Sequence, residues 1–399
     1  MTRRRLLEAG AAAIAGAFER PVRIGIIGVG GRGTGLLRTF LDLAGVEIPA
    51  VCDIDASNLA RAQGIVEKAG RSRPEGYSRG PEDYLRLVAR DDLDAVVVAT
   101  PWKWHARMSV AAMKAGKYAG TEVPAALTVE ECWDLVNTSE RTGKPCMLLE
   151  NVCYFRNVMA VLNMVKQDVL GELTHCEGGY QHDVRSILTT ASGALTWRGE
   201  EAKQRNGNQY PTHPIGPIAW WGRINRGNRF TYLTSMSSQA PRGFKLGRVN
   251  TSLIQSASGM TVTLYYDIQS PRPYDLIFRV QGTQGIYSGT LDKIYIEGRS
   301  PKAHEWEDAA PYYERYEHRL WQTLGRTAAR YGHGGADYIT LDQFVAAVRA
   351  GGPTPIDVYD AATWSVITPL SEKSVASGSA PVEFPDFTRG RWKKTYWPA

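Results

Sequence analysis

With 399 residues the chain is long for one hydrophobic core and natural for two. Hydrophobic residues make up 43% and charged residues 22%, an ordinary globular balance. The net charge of +6 sits partly in Arg3, Arg4 and Arg5 and partly in Arg389, Arg391, Lys393 and Lys394, and no long basic run lies between them, so a nucleic-acid partner is not expected.

At the N-terminus, Thr2-Arg3-Arg4-Arg5-Leu6-Leu7 precedes a small, apolar run from Ala9 to Phe18. Residues 1–20 therefore read as a twin-arginine-type export signal, which implies a periplasmic or extracellular protein. That route carries folded chains, so a cofactor can be loaded before export. The alternative is a frayed basic helix on a cytoplasmic protein. No other apolar stretch is long enough to span a bilayer.

Val22 to Ile27 reads as a buried strand running into Gly28-Val29-Gly30-Gly31-Arg32-Gly33, a G-x-G-x-x-G turn, and then a helix marked by Leu36, Leu37, Phe40 and Leu41. Strand, glycine turn and helix in that order are what a dinucleotide pyrophosphate needs at a helix N-terminus. Ile48 to Asp53 reads as the second strand. Asp53 stands 20 residues after Gly33, where a carboxylate can accept from both ribose hydroxyls and repel a 2′-phosphate, favouring NAD over NADP. Its alternative is a turn cap. Asp94 to Pro101 is a continuous apolar run of the parallel-strand type, and Pro101-Trp102-Lys103-Trp104-His105 forms the loop at its carboxyl end. A helix over His105 to Ala115, a strand over Lys117 to Glu122, a helix over Val129 to Arg141 and a strand over Pro145 to Asn151 complete a βα alternation. The fold class is α/β: residues 21–151 form a doubly wound Rossmann domain.

Beyond residue 151 the rhythm changes. A helix is expected over Ala160 to Gln167, and strands over Leu173 to His182, Thr251 to Ser258, Thr261 to Gln269 and Leu276 to Ser288, in a largely antiparallel open sheet. Ala191 to Gly207 reads as loop. Tyr338 to Ala350 and Asp357 to Ser377 read as helices, and the C-terminal helices of the second domain, residues 152–399, are expected to pack back on the first. The five cysteines are odd in number and form no C-x-x-C pair, so neither a disulfide framework nor a metal site is expected. The 11 Trp and 19 Tyr suit a carbohydrate or aromatic ligand, although packing alone also uses such residues.

The N-terminal half resembles the Gfo/Idh/MocA group, which pairs a Rossmann domain with a sheet domain for sugars. More narrowly, the chain resembles the NAD-dependent glycoside hydrolases of family 109, the α-N-acetylgalactosaminidases. The matching stretches include Thr100 to His105, Thr121-Glu122-Val123-Pro124, Gly178-Gly179-Tyr180-Gln181-His182-Asp183, Trp197-Arg198, Arg205 to His213, Ser270 to Tyr274 and Pro369 to Val375. Sugar dehydrogenases of the broader group carry Glu-Lys-Pro where this chain has Glu122-Val123-Pro124, and Val123 cannot relay a proton. The resemblance implies a redox-neutral glycosidase: oxidation of the sugar at carbon 3, loss of the neighbouring proton, expulsion of the aglycone, addition of water and return of the hydride.

On that resemblance NAD is the cofactor, held by Gly28, Gly30, Gly31, Arg32, Gly33, Asp53, Trp102, Lys103, Trp104, His105, Glu122, Val123 and Asn151. The sugar site is Tyr180, Arg198, Tyr210, Pro211, Thr212, His213 and Tyr274, with His213 as base and Tyr210 and Tyr180 as further catalytic candidates. The partner is a carbohydrate, and the sheet domain is a candidate face for a homo-oligomer. The chain departs from the family's pattern at Lys103, which replaces a Glu, at Pro214-Ile215, and at the short stretch Gln239 to Lys245. The competing readings are a net sugar oxidoreductase and a non-catalytic NAD-binding protein.

Overall fold

The computed structural model describes residues 20–396; the export-signal reading of residues 1–20 falls, but for Arg20, outside them. The first sheet is six parallel strands in the order β3-β2-β1-β4-β5-β6. They are β1 (Val22–Ile27), β2 (Val46–Cys52), β3 (Glu75–Tyr77), β4 (Ala95–Val98), β5 (Tyr118–Thr121) and β6 (Cys146–Leu148). The order reverses between β1 and β4, which opens a crevice at their carboxyl ends. All four residues of β4 are fully buried, because helices cover both faces of the sheet. Helix α1 (Gly31–Asp42) buries Leu36, Leu37 and Phe40, three side chains on one stripe, each contributing about 1.5–3 kcal/mol through removal from water. Helices α2 (Ala56–Lys68), α3 (Tyr84–Val88), α4 (His105–Lys114) and α5 (Val129–Thr142) complete this unit.

The chain then passes through α6 (Arg156–Lys166) into a nine-stranded sheet that includes β13 (Lys293–Ile296), β14 (Glu307–Asp308) and β15 (Val382–Glu383) and is ordered β14-β13-β12-β11-β7-β10-β9-β8-β15. It is antiparallel except where β7 (Leu173–Gln181) pairs in parallel with β10 (Thr261–Asp267). Two helices follow β7 before the next strand, α7 (Trp197–Gln204) and α8 (Thr212–Trp221). Strands β8 (Phe230–Ser237) and β9 (Asn250–Ser256) then pair beside β10. Every residue of α8 is buried, and it lies against β7. A Cβ on Gly178 would come within 2.9 Å of Pro214 Cβ, so this glycine sets how closely α8 approaches the sheet.

Four sequence expectations are corrected. Ala191 to Gly207 is not all loop: Thr196 caps α7 by accepting from the Gly199 N–H, an N-terminal signal that the polar composition masked. The strand expected over Leu276 to Ser288 is a hairpin, β11 (Arg279–Gly282) and β12 (Gly285–Ser288), preceded by Ile277 and Phe278 at φ 67° and 44°. The helix expected over Asp357 to Ser377 is two, α12 (Val358–Ser365) and α13 (Ile367–Ala376). Before them α9 (Ala310–Arg315), α10 (Arg319–Ala328) and α11 (Ala336–Ala350) return to the Rossmann unit. There Phe344 of α11 lies over Gly120, the Tyr118 hydroxyl donates to Gly352 O at 3.1 Å and Arg349 donates to Ala44 O at 2.9 Å. Asn151 sits in a one-turn 3-10 helix, Asn151–Tyr154, rather than on a strand.

Candidate active site

The crevice between β1 and β4 opens into a cavity of about 760 Å³ that runs from the glycine turn to α7 and α8. At one end Gly28, Gly30, Gly31, Arg32 and Asp53 form its wall. A Cβ on Gly33 would stand 1.8 Å from Gly28 O, so Gly33 lies beneath the turn and allows it, while a Cβ on Gly31 would meet nothing within 4 Å. The Val29 N–H donates to Asp53 Oδ2 and the Asp55 N–H to Oδ1, both at 2.9 Å, which aims the carboxylate along the crevice. This cradle, with exposed amides at the start of α1 and a fixed carboxylate after β2, fits a dinucleotide.

The middle of the cavity is walled by the 3-10 turn Trp102–Trp104 and by Glu122, Val123 and Asn151. Trp102 and Trp104 line the cavity, whereas Lys103 between them is exposed and does not. His105 is buried, with Nδ1 2.7 Å from Pro124 O and Nε2 2.7 Å from Thr100 O, so its ring ties two walls together. Glu122 Oε1 accepts from Arg32 Nε at 2.7 Å. Arg32 also donates to both oxygens of Asp337, at 2.9 and 3.0 Å, and Asn151 Nδ2 donates to Asp337 Oδ1 at 2.7 Å. Asp337 stands in the first turn of α11, so the second domain closes this part of the cavity wall. Burial pushes its carboxyl up, but the hydrogen bond from His333 and the Arg32 charge overcome that and hold it well below the usual carboxylate range.

The far end is aromatic. Tyr180 from β7, Tyr210 just before α8, and His213 in its first turn pack ring to ring, with centroids 4.6 Å (Tyr180–Tyr210), 4.8 Å (Tyr210–His213) and 5.6 Å (Tyr180–His213) apart. Trp102 joins them 5.5 Å from Tyr210. Arg198, in the first turn of α7, lies over Trp197 at 4.5 Å, Trp102 at 4.9 Å and Tyr210 at 5.7 Å. Among the described residues it makes no hydrogen bond or ion pair, so its planar donors face the cavity unused. Pro211 precedes α8 and Thr212 starts it, and both are buried behind this wall. Tyr274 is not among the residues lining the cavity; it is 46% exposed, with its ring 4.7 Å from that of His182 and 6.2 Å from that of Tyr180.

Glu150 is the participant that the sequence did not disclose. It is fully buried, and its Oε1 lies 2.6 Å from His213 Nδ1 while also accepting the Val152 N–H at 3.2 Å. A histidine held through Nδ1 by a buried carboxylate has one tautomer and one orientation imposed on it, which leaves Nε2 as its working atom. His182 is a second addition, with Nδ1 3.2 Å from the Tyr180 hydroxyl. Burial raises the phenol pKa of Tyr180 and carries that of Tyr210 well above its ordinary value. Both therefore remain protonated donors at neutral pH.

The family model described as "Oxidoreductase family, NAD-binding Rossmann fold" matches residues 22–149, and that described as "Glycosyl hydrolase 109, C-terminal domain" matches residues 154–243 and 239–394. A "Glycosyl hydrolase family 109 protein" of Solibacter usitatus is 46% identical over 393 residues, covering 93% of this chain and 89% of the relative. An "Alpha-N-acetylgalactosaminidase" of Tannerella forsythia is 43% identical over 416 residues, covering 95% and 88%. Among solved structures, an oxidoreductase from Agrobacterium radiobacter in complex with NAD+, L-tartaric acid and magnesium superposes with a TM-score of 0.68 at 18% identity, covering 91% of this chain and 98% of that one; at this identity the likeness is one of fold.

Proposed function

Since this chain belongs to glycoside hydrolase family 109 and is a glycosidase, we propose that it cleaves terminal α-linked N-acetylgalactosamine, or a closely related sugar, in a redox-neutral cycle assisted by tightly held NAD. The observation that carries this reading is the continuity of one cavity. Its nucleotide cradle is continuous with the His213, Tyr180, Tyr210 and Arg198 end, and its lining carboxylates, Asp53, Asp55 and Glu122, all belong to the nucleotide side. A glycosidase of the usual kind needs two carboxylates flanking the scissile bond, and among the described residues none lines the sugar end of this cavity. The name of the Tannerella relative supports the choice of sugar.

Gly28, Gly30, Gly31 and Asp53 would hold NAD, which would supply reversible hydride uptake at carbon 3 of the sugar and so make the hydrogen at carbon 2 more acidic. The chain's own groups handle protons and charge. His213, oriented through Nδ1 by Glu150, takes the proton at Nε2 as general base, and the buried carboxylate stabilises the imidazolium that forms. Tyr180 and Tyr210, kept protonated by burial, donate hydrogen bonds to the oxygen on which negative charge develops. Arg198 offers its free donors to sugar hydroxyl or acetamido oxygens, held in place by the three rings beneath it. Val123, 3% exposed where the broader group has a lysine, closes the wall without offering a proton relay. The twin-arginine-like start, Arg3-Arg4-Arg5, supports export of the loaded protein, which cell fractionation tests.

The deciding experiment uses the purified chain and a chromogenic α-N-acetylgalactosaminide, with phenol release and NADH absorbance followed together. Many phenol turnovers per chain with no net NADH support the reading. Silence on glycosides, with NADH accumulating from free sugar and NAD, replaces it by net sugar oxidation.

A further inference from the structure

The loop before α11 reaches the cavity from the second domain. Its residue His333 lines the cavity with Gly30, Gly31 and Arg32. The backbone there is unusual, since His333, Gly334 and Gly335 follow one another at φ 52°, 64° and 102°. A non-glycine residue in the left-handed region costs conformational energy, and such residues persist where their side chain is needed in place. The side chain is indeed fixed: His333 Nδ1 lies 2.9 Å from Asp337 Oδ2. The same carboxylate binds both terminal nitrogens of Arg32, and Glu122 takes Arg32 Nε. The arginine at the start of α1 is thus engaged on all three nitrogens by the chain's own acids. His333 Nε2, by contrast, has no partner among the described residues. At this end of the cavity it adds a donor beside the two Arg32 N–H bonds, one on each terminal nitrogen, that these contacts leave over.

We propose that the Tyr331–Gly335 loop is a latch on the dinucleotide, in which His333 donates from Nε2 to a phosphate oxygen of the bound cofactor while Asp337 fixes its ring. The proposal rests on the reading of the cavity as an NAD site. It ascribes to the loop the residence of the cofactor. The charged groups facing His333 are Asp337 on α11, Arg32 on α1 and Glu122 after β5; Asp337 raises the His333 pKa above its ordinary value, so the imidazolium is favoured.

The test compares wild type, His333→Ala and His333→Asn. Asn tolerates the left-handed backbone, so the second variant keeps the loop's conformation and removes the imidazole. Affinity for NADH, ADP-ribose and adenosine is measured by calorimetry, and retained NAD by acid release after gel filtration. Both variants are expected to lose about ten- to hundredfold in affinity for NADH and ADP-ribose, the scale of one charge-assisted hydrogen bond, and none for adenosine, which lacks phosphate. In wild type the ADP-ribose affinity should fall as pH rises through the raised His333 pKa, and this dependence should vanish in His333→Asn. Variants that bind ADP-ribose as wild type does overturn the latch and leave the NAD site standing. Equal losses for adenosine overturn it too, since the loop would then act on the fold of the site. A wild type that binds neither NADH nor ADP-ribose overturns both readings.

Discussion

Replacing Glu150 by Gln removes the charge that faces His213 while nearly preserving shape. The amide oxygen can still accept the Val152 N–H, now at 3.2 Å, so the turn that carries Asn151 keeps its cap. What disappears is the carboxylate 2.6 Å from His213 Nδ1, in a site with no exposure to solvent. A hydrogen bond to a charged partner is worth about 1.5–3 kcal/mol net. At 1.36 kcal/mol per decade of rate, its loss slows the proton transfer by roughly tenfold to somewhat over a hundredfold. On the proposed reading Glu150 acts on the imidazolium formed during proton transfer, so the loss should fall on kcat and leave KM nearly unchanged. The assay is phenol release across a range of glycoside concentration, with NAD per chain measured alongside. A variant that retains its NAD and turns over within about twofold of wild type would refute the assignment of His213 and Glu150 as a working pair, because no smaller effect follows from the magnitudes above.

His213→Ala should lower the rate at least about a hundredfold with NAD still bound, as loss of a general base does; normal turnover removes His213 from the chemistry. Asp53→Ala should loosen NAD and relax its discrimination against NADP, read by titrating both cofactors, and unchanged preference rejects the ribose role. Asp337 has a folded pKa below its unfolded value of about 3.9, so its stabilisation is complete above that pH and is lost as pH falls through it toward the folded value. The Tm of wild type should therefore fall more steeply below about pH 4 than that of Asp337→Asn, and parallel curves count against the Arg32–Asp337–His333 cluster as a stabilising contact. All five cysteines are buried and free, and burial pushes the thiols of Cys52 and Cys146 up to about 12. A disulfide reagent at pH 7 should find no rapidly reacting thiol in the native protein and five after denaturation; a fast thiol in the native state would contradict that burial.

The parts of the site that could be read from the sequence are those made by neighbours in the chain. The β1 strand, its glycine turn, α1 and Asp53 follow one another within a single βαβ unit, and the same spacing that makes the turn also makes the cradle. Tyr210 and His213 are likewise adjacent, placed together by the start of α8. What stayed hidden is what only folding brings together. Glu150 and His213 are 63 residues apart, and Arg32 and Asp337 are 305 apart; no local pattern links either pair. Glu150 lies in a run read as a strand, where an acid signals nothing, and His333 lies in a glycine-rich loop. Trp197 and Arg198 fell within a stretch read as loop because α7 is polar nearly all round, so apolar periodicity gave no sign of it. Its one local signal was Thr196 as cap. Lys103 and Gly33 show the converse: motif membership placed them near the cofactor, but alternation along the turn sends Lys103 outward, and Gly33 acts by the absence of a side chain beneath Gly28.

On the proposed reading, hydrolysis succeeds only if the oxidised sugar is consumed before either it or the cofactor leaves. Three features of this chain bear on that condition. The Arg32–Asp337–Asn151 contacts tie α1 to α11 across the cavity, so opening the nucleotide end requires breaking charge-assisted bonds between the two domains. On the proposed reading Val123 offers no proton relay, and the base, His213, is held by α8 beside the ring of Tyr210. Burial keeps the Tyr180 and Tyr210 hydroxyls protonated, so on the proposed reading the groups beside the base also donate to the charge its action creates. On the proposed reading, retention comes from the contacts between domains and commitment from the aromatic cluster. The two are separable: variants at Asp337 and His333 should change cofactor residence, while variants at Glu150 and Tyr210 should change turnover with the cofactor in place.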